Sequence, residues 1–80
     1  MSTEILIIDD NPEIRFLLSS IISELGHNVR QAANYNQALK EIDKKLPDVA
    51  IIDVKLDKGD NDGIELLNHI KQKNNNVPVI

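Results

Sequence analysis

Four consecutive branched aliphatic residues, Ile5-Leu6-Ile7-Ile8, run straight into two aspartates, Asp9 and Asp10. A continuous apolar run of this length, cut off by charge, reads as a β-strand buried on both faces. A second run, Val49-Ala50-Ile51-Ile52, ends the same way in Asp53. Strands without a polar face need cover on both sides, and in one chain the helices of parallel crossovers supply it. The apolar composition agrees: twelve Ile, and only Phe16 and Tyr35 as aromatics.

Between the runs the pattern changes period. Asn11 is a strong helix N-cap, and Pro12 suits the first helical position, where no N–H is needed. Ile14, Leu17, Leu18, Ile21, Ile22 and Leu25 then form one helical stripe, with Phe16 off it and Gly26 as the stop. Residues 27–33 predict a second strand, carried by Val29 and the alanines. Asn34 caps a second helix, with Tyr35, Ala38, Leu39 and Ile42 inward and Pro47 forbidding continuation. Residues 54–62 are polar and read as a loop. Gly63 opens a third helix with Ile64, Leu67 and Ile70 on one face. Asn74, Asn75 and Asn76 end it, and Val77 to Ile80 begin a further strand. The order is β-α-β-α-β-α-β, which with right-handed crossovers gives a doubly wound α/β parallel sheet.

Charge and residue types exclude several function classes. The 80 residues carry thirteen acids and nine bases, net −4, with no basic cluster larger than Lys44–Lys45. Nucleic acid and anionic lipid are therefore unsuited as partners. The absence of cysteine removes disulfides, thiolate metal sites and thiol nucleophiles. No run approaches a membrane span or a signal-peptide core, so a cytoplasmic location is expected. His27 reads as a loop residue and His69 as solvent-facing, and no Ser–His or Cys–His pairing suggests a nucleophilic triad.

The chemistry is concentrated in the acids. In a doubly wound sheet the first and third strands are neighbours, and ligands bind at the carboxyl ends where strand order reverses. Asp9, Asp10 and Asp53 then converge. Two like charges about 4 Å apart repel by about 4 kcal/mol at an effective dielectric of about 20, so a proton or a cation must compensate. Hard carboxylate oxygens favour Mg²⁺ or Mn²⁺, which organise phosphate oxygens, and one Asp could be a nucleophile through an acyl phosphate. Taken singly, Asp9 or Asp10 is as well explained as a helix cap, and Asp53 as a turn residue. Their joint placement in this frame is the specific signal.

The stretches Ile5 to Arg15, Glu24 to His27, Ala38-Leu39, Pro47 to Asp53, Asp62 to Leu67 and Val77 to Ile80 resemble the receiver domain of bacterial two-component response regulators. The resemblance covers the whole chain. It implies a flavodoxin-like (CheY-like) fold with strand order 2-1-3-4. It implies that Asp53 accepts a phosphoryl group from a sensor histidine kinase. It also implies that Asp9 and Asp10 hold Mg²⁺ together with Asp53 and the backbone carbonyl of Lys55. Asp10 and Asp53 are expected as direct ligands and Asp9 as one acting mainly through water.

The chain departs from the family pattern in three respects. Asp57 stands where Pro is usual. Asp62–Gly63 comes about two residues late, as in receivers of NtrX-type transcription activators. The chain also stops within the fourth strand, so residues 1–80 are expected to be a partial receiver domain lacking the fourth helix, fifth strand and fifth helix. The Thr/Ser and Lys that normally contact the phosphoryl group would then be missing, phosphotransfer by these residues alone would be slow, and one flank of the first helix would lie bare.

The expected function is that of a phosphoacceptor in two-component signalling, regulating an output domain or partner, and not that of an enzyme. The alternative is a truncated, non-phosphorylated interaction module that forms a homodimer. A haloacid-dehalogenase type of hydrolase ranks last, because Lys55 stands where that family has its second Asp.

Overall fold

A computed structural model describes residues 3–52, 62–74 and 76–80. Asp53, Lys55 and Asp57 lie outside the described residues. The elements are β1 (Glu4–Ile8), α1 (Pro12–Glu24), β2 (Asn28–Ala32), α2 (Tyr35–Lys44), β3 (Val49–Ile52) and α3 (Asp62–Lys73). The sheet is parallel with β1 central, in the order β2-β1-β3. Register partners run from Glu4 with Asn28 to Ile8 with Ala32, and from Ile5 with Val49 to Ile8 with Ile52.

The expected fourth strand is present as a short pairing beside β3. Val79 bridges Ala50 in parallel. Around it Ala50 N–H donates to Pro78 O at 3.0 Å, Ile80 N–H to Ala50 O at 2.9 Å, and Ile52 N–H to Ile80 O at 2.9 Å. The order 2-1-3-4 follows.

Ile5 to Ile8 are all buried, as a strand covered on both faces requires. Leu6 and Ile8 point to one side and join Ala32, Ala38, Ile42, Ala50, Leu66, Ile70 and Val77 in the core under α2 and α3. Full burial of a side chain such as Leu6 contributes about 1.5–3 kcal/mol. Ile5 and Ile7 alternate to the opposite side, which α1 covers.

One helix face differs from expectation, on α3, and the bare flank expected of α1 is present. On α3 the buried pair is Leu66 and Ile70, whereas Ile64 is exposed. The inward row therefore follows i, i+4 spacing and not the i, i+3 row 64-67-70. On α1 the buried residue is Ser19, flanked by half-buried Arg15 and Ile22. Ile14, Leu17, Ile21 and Leu25 are exposed. The stripe is split: Leu18 and Ile22 are half-buried, while the Ile14–Leu17–Ile21–Leu25 flank is exposed and no other element among the described residues lies against it. Phe16, off the stripe, is 70% exposed.

Caps close the helices where the residue chemistry placed them. Asn34 Oδ1 accepts Gln37 N–H at 2.8 Å at the start of α2. Gly26 follows α1 with φ of 92°, in the left-handed region that side chains with a Cβ rarely adopt.

Candidate functional site

The site is built on the turn joining β1 to α1. Asp9 N–H donates to Ala32 O at 3.1 Å, so the sheet pairing with β2 continues one residue past β1. Asp9 Oδ1 accepts Asn11 N–H at 2.9 Å, closing an Asx turn. Asn11 Oδ1 in turn accepts Glu13 N–H at 2.9 Å and Ile14 N–H at 3.4 Å, as an N-cap does. The acidic pair thus stands just ahead of a helix N-terminus, whose unpaired N–H groups favour negative charge.

Asp10 sits between these two anchored residues. It is exposed, and no hydrogen bond or ion pair engages its carboxylate among the described residues. Asp9 is half-buried, and among the described residues its second carboxylate oxygen has no partner. The donor set is two neighbouring carboxylates with oxygen valence to spare, which suits a hard cation. Among the described residues no three His, Cys, Asp or Glu side chains converge.

The third expected acid, Asp53, and the carbonyl of Lys55 lie outside the described residues. What the sheet does establish is the approach to them. Ile8 and Ile52 are register partners, so the residues that precede Asp9 and Asp53 stand side by side at the carboxyl edge.

Arg15 was not singled out from the sequence. Its Nη1 donates to Asp9 O at 2.8 Å and its Nε to Gln31 Oε1 at 3.1 Å. A cation one turn into the helix that follows an acidic pair was the available signal, but its acceptors are a backbone oxygen and a residue of β2, neither marked by spacing.

Other charged groups are tied up at a distance from this edge. Partial burial pushes the Glu41 carboxyl up, but hydrogen bonds from Arg30 and then Lys44 outweigh it and hold it below the usual carboxylate range. Asp43 is also held low, first by its hydrogen bond with His69 and then by Lys73, at 3.2 and 3.3 Å. His69 therefore clasps α3 to α2 and does not simply face solvent. His27 lies in the loop before β2, as expected. No described helix is long and apolar enough to cross a membrane.

Comparison with known proteins agrees with this architecture. The response regulator receiver domain matches residues 5–80. The nitrogen assimilation regulatory protein NtrX of Azorhizobium caulinodans is 38% identical over 80 residues, all of this chain and 18% of the relative. Sporulation initiation phosphotransferase F of Bacillus subtilis is 40% identical over 80 residues, again all of this chain and 63% of the relative. The crystal structure of NtrX from Brucella abortus in complex with ADP superposes with a TM-score of 0.88 at 35% identity, covering 99% of this chain and 18% of that one. The chain therefore spans less than two thirds of the length of these relatives. With a parallel 2-1-3 sheet, an acidic pair at its carboxyl edge and a family match over nearly every residue, the chain belongs to the response regulator receiver domain family.

Proposed function

We propose that this chain is the phosphoacceptor module of a two-component signalling pathway, of the NtrX type, acting in the cytoplasm. Asp53 receives a phosphoryl group from the phosphohistidine of a sensor kinase. A carboxylate oxygen of Asp53 attacks phosphorus, the phosphorus–nitrogen bond breaks with its electron pair going to that nitrogen, and the imidazole, already protonated on its other nitrogen, departs as the neutral ring. The product is an acyl phosphate on Asp53. Asp10 and Asp53 would hold Mg²⁺ directly, Asp9 through water, and Lys55 through its backbone carbonyl. Bound Mg²⁺ supplies counter-charge to the phosphoryl oxygens during transfer. The protein is the acceptor and regulates an output domain or partner; it does not turn over a substrate.

The single observation that carries this reading is the placement of Asp9 and Asp10 at the carboxyl end of β1, beside the end of β3, with the Asp10 carboxylate unengaged among the described residues. Incubating the protein with acetyl phosphate and Mg²⁺ tests it. A hydroxylamine-labile phosphoryl group on Asp53, absent from Asp53→Asn, is expected. Equal labelling of Asp53→Asn would overturn the assignment.

A second reading rests on a separate observation. The exposed row Ile14, Leu17, Ile21 and Leu25 on α1 favours an interaction module that associates with a second copy. Sedimentation distinguishes the two readings: a monomer at micromolar concentration that still labels at Asp53 excludes the second.

A further inference from the structure

We propose that Arg15 is a positioning residue that sets the direction in which Asp10 leaves the turn, and so the affinity of the acidic edge for Mg²⁺. This rests on the proposed metal site at Asp9, Asp10 and Asp53. The peptide unit between Asp9 and Asp10 is planar and contains both Asp9 O and Asp10 N. Arg15 Nη1 grips that oxygen at 2.8 Å. On the near side of the same unit, Asp9 N–H is held by Ala32 O at 3.1 Å and Asp9 Oδ1 by Asn11 N–H at 2.9 Å. Asp9 O is thus held in the peptide unit before Asp10, and Asn11 N–H in the unit after it, so the Asp10 Cα lies between two restrained planes and the direction of its Cβ is restricted.

The grip is itself braced. Arg15 Nε donates to Gln31 Oε1 at 3.1 Å. Gln31 is the register partner of Ile7, so this second bond ties the guanidinium to β2 one residue before the strand's end. Arg15 N–H bonds Asn11 O at 3.0 Å, and Arg15 O accepts Ser19 Oγ at 2.7 Å, which hold its backbone in α1. A planar guanidinium with donors in a fixed fork can serve two acceptors at once, which an ammonium on a flexible stem does poorly.

The chemistry of the acceptors matters as much as the geometry. Both are neutral oxygens, a backbone carbonyl and a side-chain amide. The cation is therefore committed to the turn, and neither hydrogen bond occupies a carboxylate oxygen that a metal needs. This yields opposite signs for two explanations of what Arg15 does. If it acts only as a nearby positive charge, its removal relieves repulsion and tightens Mg²⁺ binding. If it positions Asp10, its removal weakens binding.

Calorimetric titration of the full protein with Mg²⁺ decides between them. Arg15→Ala should weaken binding by on the order of tenfold, in the range that loss of an outer partner of a metal ligand produces. Arg15→Lys, which keeps the charge and can reach one acceptor, should recover part of the loss. Gln31→Leu removes the brace with no change of charge on an exposed strand position, and should shift affinity in the same direction by a smaller factor.

A metal-free readout accompanies these titrations: the Asp10 amide resonance should move in Arg15→Ala and Gln31→Leu, while amides of β3 hold. Unchanged or tighter Mg²⁺ binding by Arg15→Ala, or an unmoved Asp10 amide in both variants, overturns the proposal alone. A wild-type protein that binds no Mg²⁺ overturns the proposed metal site as well.

Discussion

The two ends of the central strand treat charge in opposite ways. At the amino end of β1, Arg30 Nε lies 3.0 Å from Glu4 Oε1 and Arg30 Nη1 lies 3.2 Å from Glu41 Oε1. The same guanidinium also donates to Glu41 O at 2.9 Å and Lys45 O at 2.7 Å, closing the end of α2. Asp48 Oδ2 accepts Glu4 N–H at 2.9 Å, so that carboxylate is committed too. At the carboxyl end the nearby cation, Arg15, bonds a backbone oxygen and an amide, and no bond among the described residues engages the Asp10 carboxylate. One end has acids whose partners are within the chain. At the other, Asp9 accepts one turn N–H and the Asp10 carboxylate has no partner among the described residues, as the proposed cation site requires. Acids of the first kind contribute to stability through their partners, whereas Asp10 has no bond among the described residues from which to draw such a contribution.

The largest expected effect comes from breaking the self-satisfied end. Arg30→Ala strips partners from Glu4 and Glu41 and from two carbonyls at the end of α2. With the Arg30 side chain 18% exposed, the loss should be on the order of 2 kcal/mol, read as a lower urea midpoint. Asn11→Ala should come next, because it removes the cap that starts α1 and anchors the turn. A cost of about 1 kcal/mol is expected, and Asn11→Gly should lose only a few tenths of that unit. Asp10→Asn should sharpen the contrast by moving the other way. Its urea midpoint should stay level or rise slightly without metal, while its Mg²⁺ affinity falls several-fold in calorimetry.

The smallest effect concerns the surface clasp between α2 and α3. Asp43 is held below the usual carboxylate range, first by His69 and then by Lys73. Its folded-state value is therefore lower than its unfolded one. The clasp contributes fully above the unfolded value and is lost as pH falls through the folded one, below about pH 4. Urea titrations of wild type and Asp43→Asn should show a small gap at neutral pH that closes in that acidic window. A gap that widens on acidification would reverse the sign.

Much of the frame was legible because its signals are local. The run Ile5–Ile8 ending in two acids, the caps Asn11 and Asn34, and the left-handed stop at Gly26 each depend on a few neighbouring residues. The helix faces were harder to read. An apolar stripe shows which side of a helix is greasy, whereas burial depends on which side has a neighbour. On α1 those sides differ, so Arg15 and Ser19 face inward while Leu17 and Ile21 do not. Leu66 was missed because rows at i, i+3 and at i, i+4 are both available to Ile64, Leu66, Leu67 and Ile70, and only packing against Leu6, Ala38 and Ile42 selects one. The acidic pair itself was legible, but the residue that orients it was not, since Arg15 acts through a backbone oxygen and through Gln31 across the sheet.

The proposed cation site is the carboxyl edge of β1, and no other acidic cluster among the described residues. Paramagnetic Mn²⁺ in place of Mg²⁺ tests it directly, because amide resonances broaden with proximity to the ion. Substoichiometric Mn²⁺ should broaden the amides of Asp9, Asp10, Asn11 and Asp53 first, then that of Ala32, and leave Glu4, Asp43 and Asp48 sharp; excess Mg²⁺ should restore them, and Asp10→Asn should weaken the pattern. Broadening centred on Asp43 or Asp48, or spread evenly over the surface acids, would contradict the account.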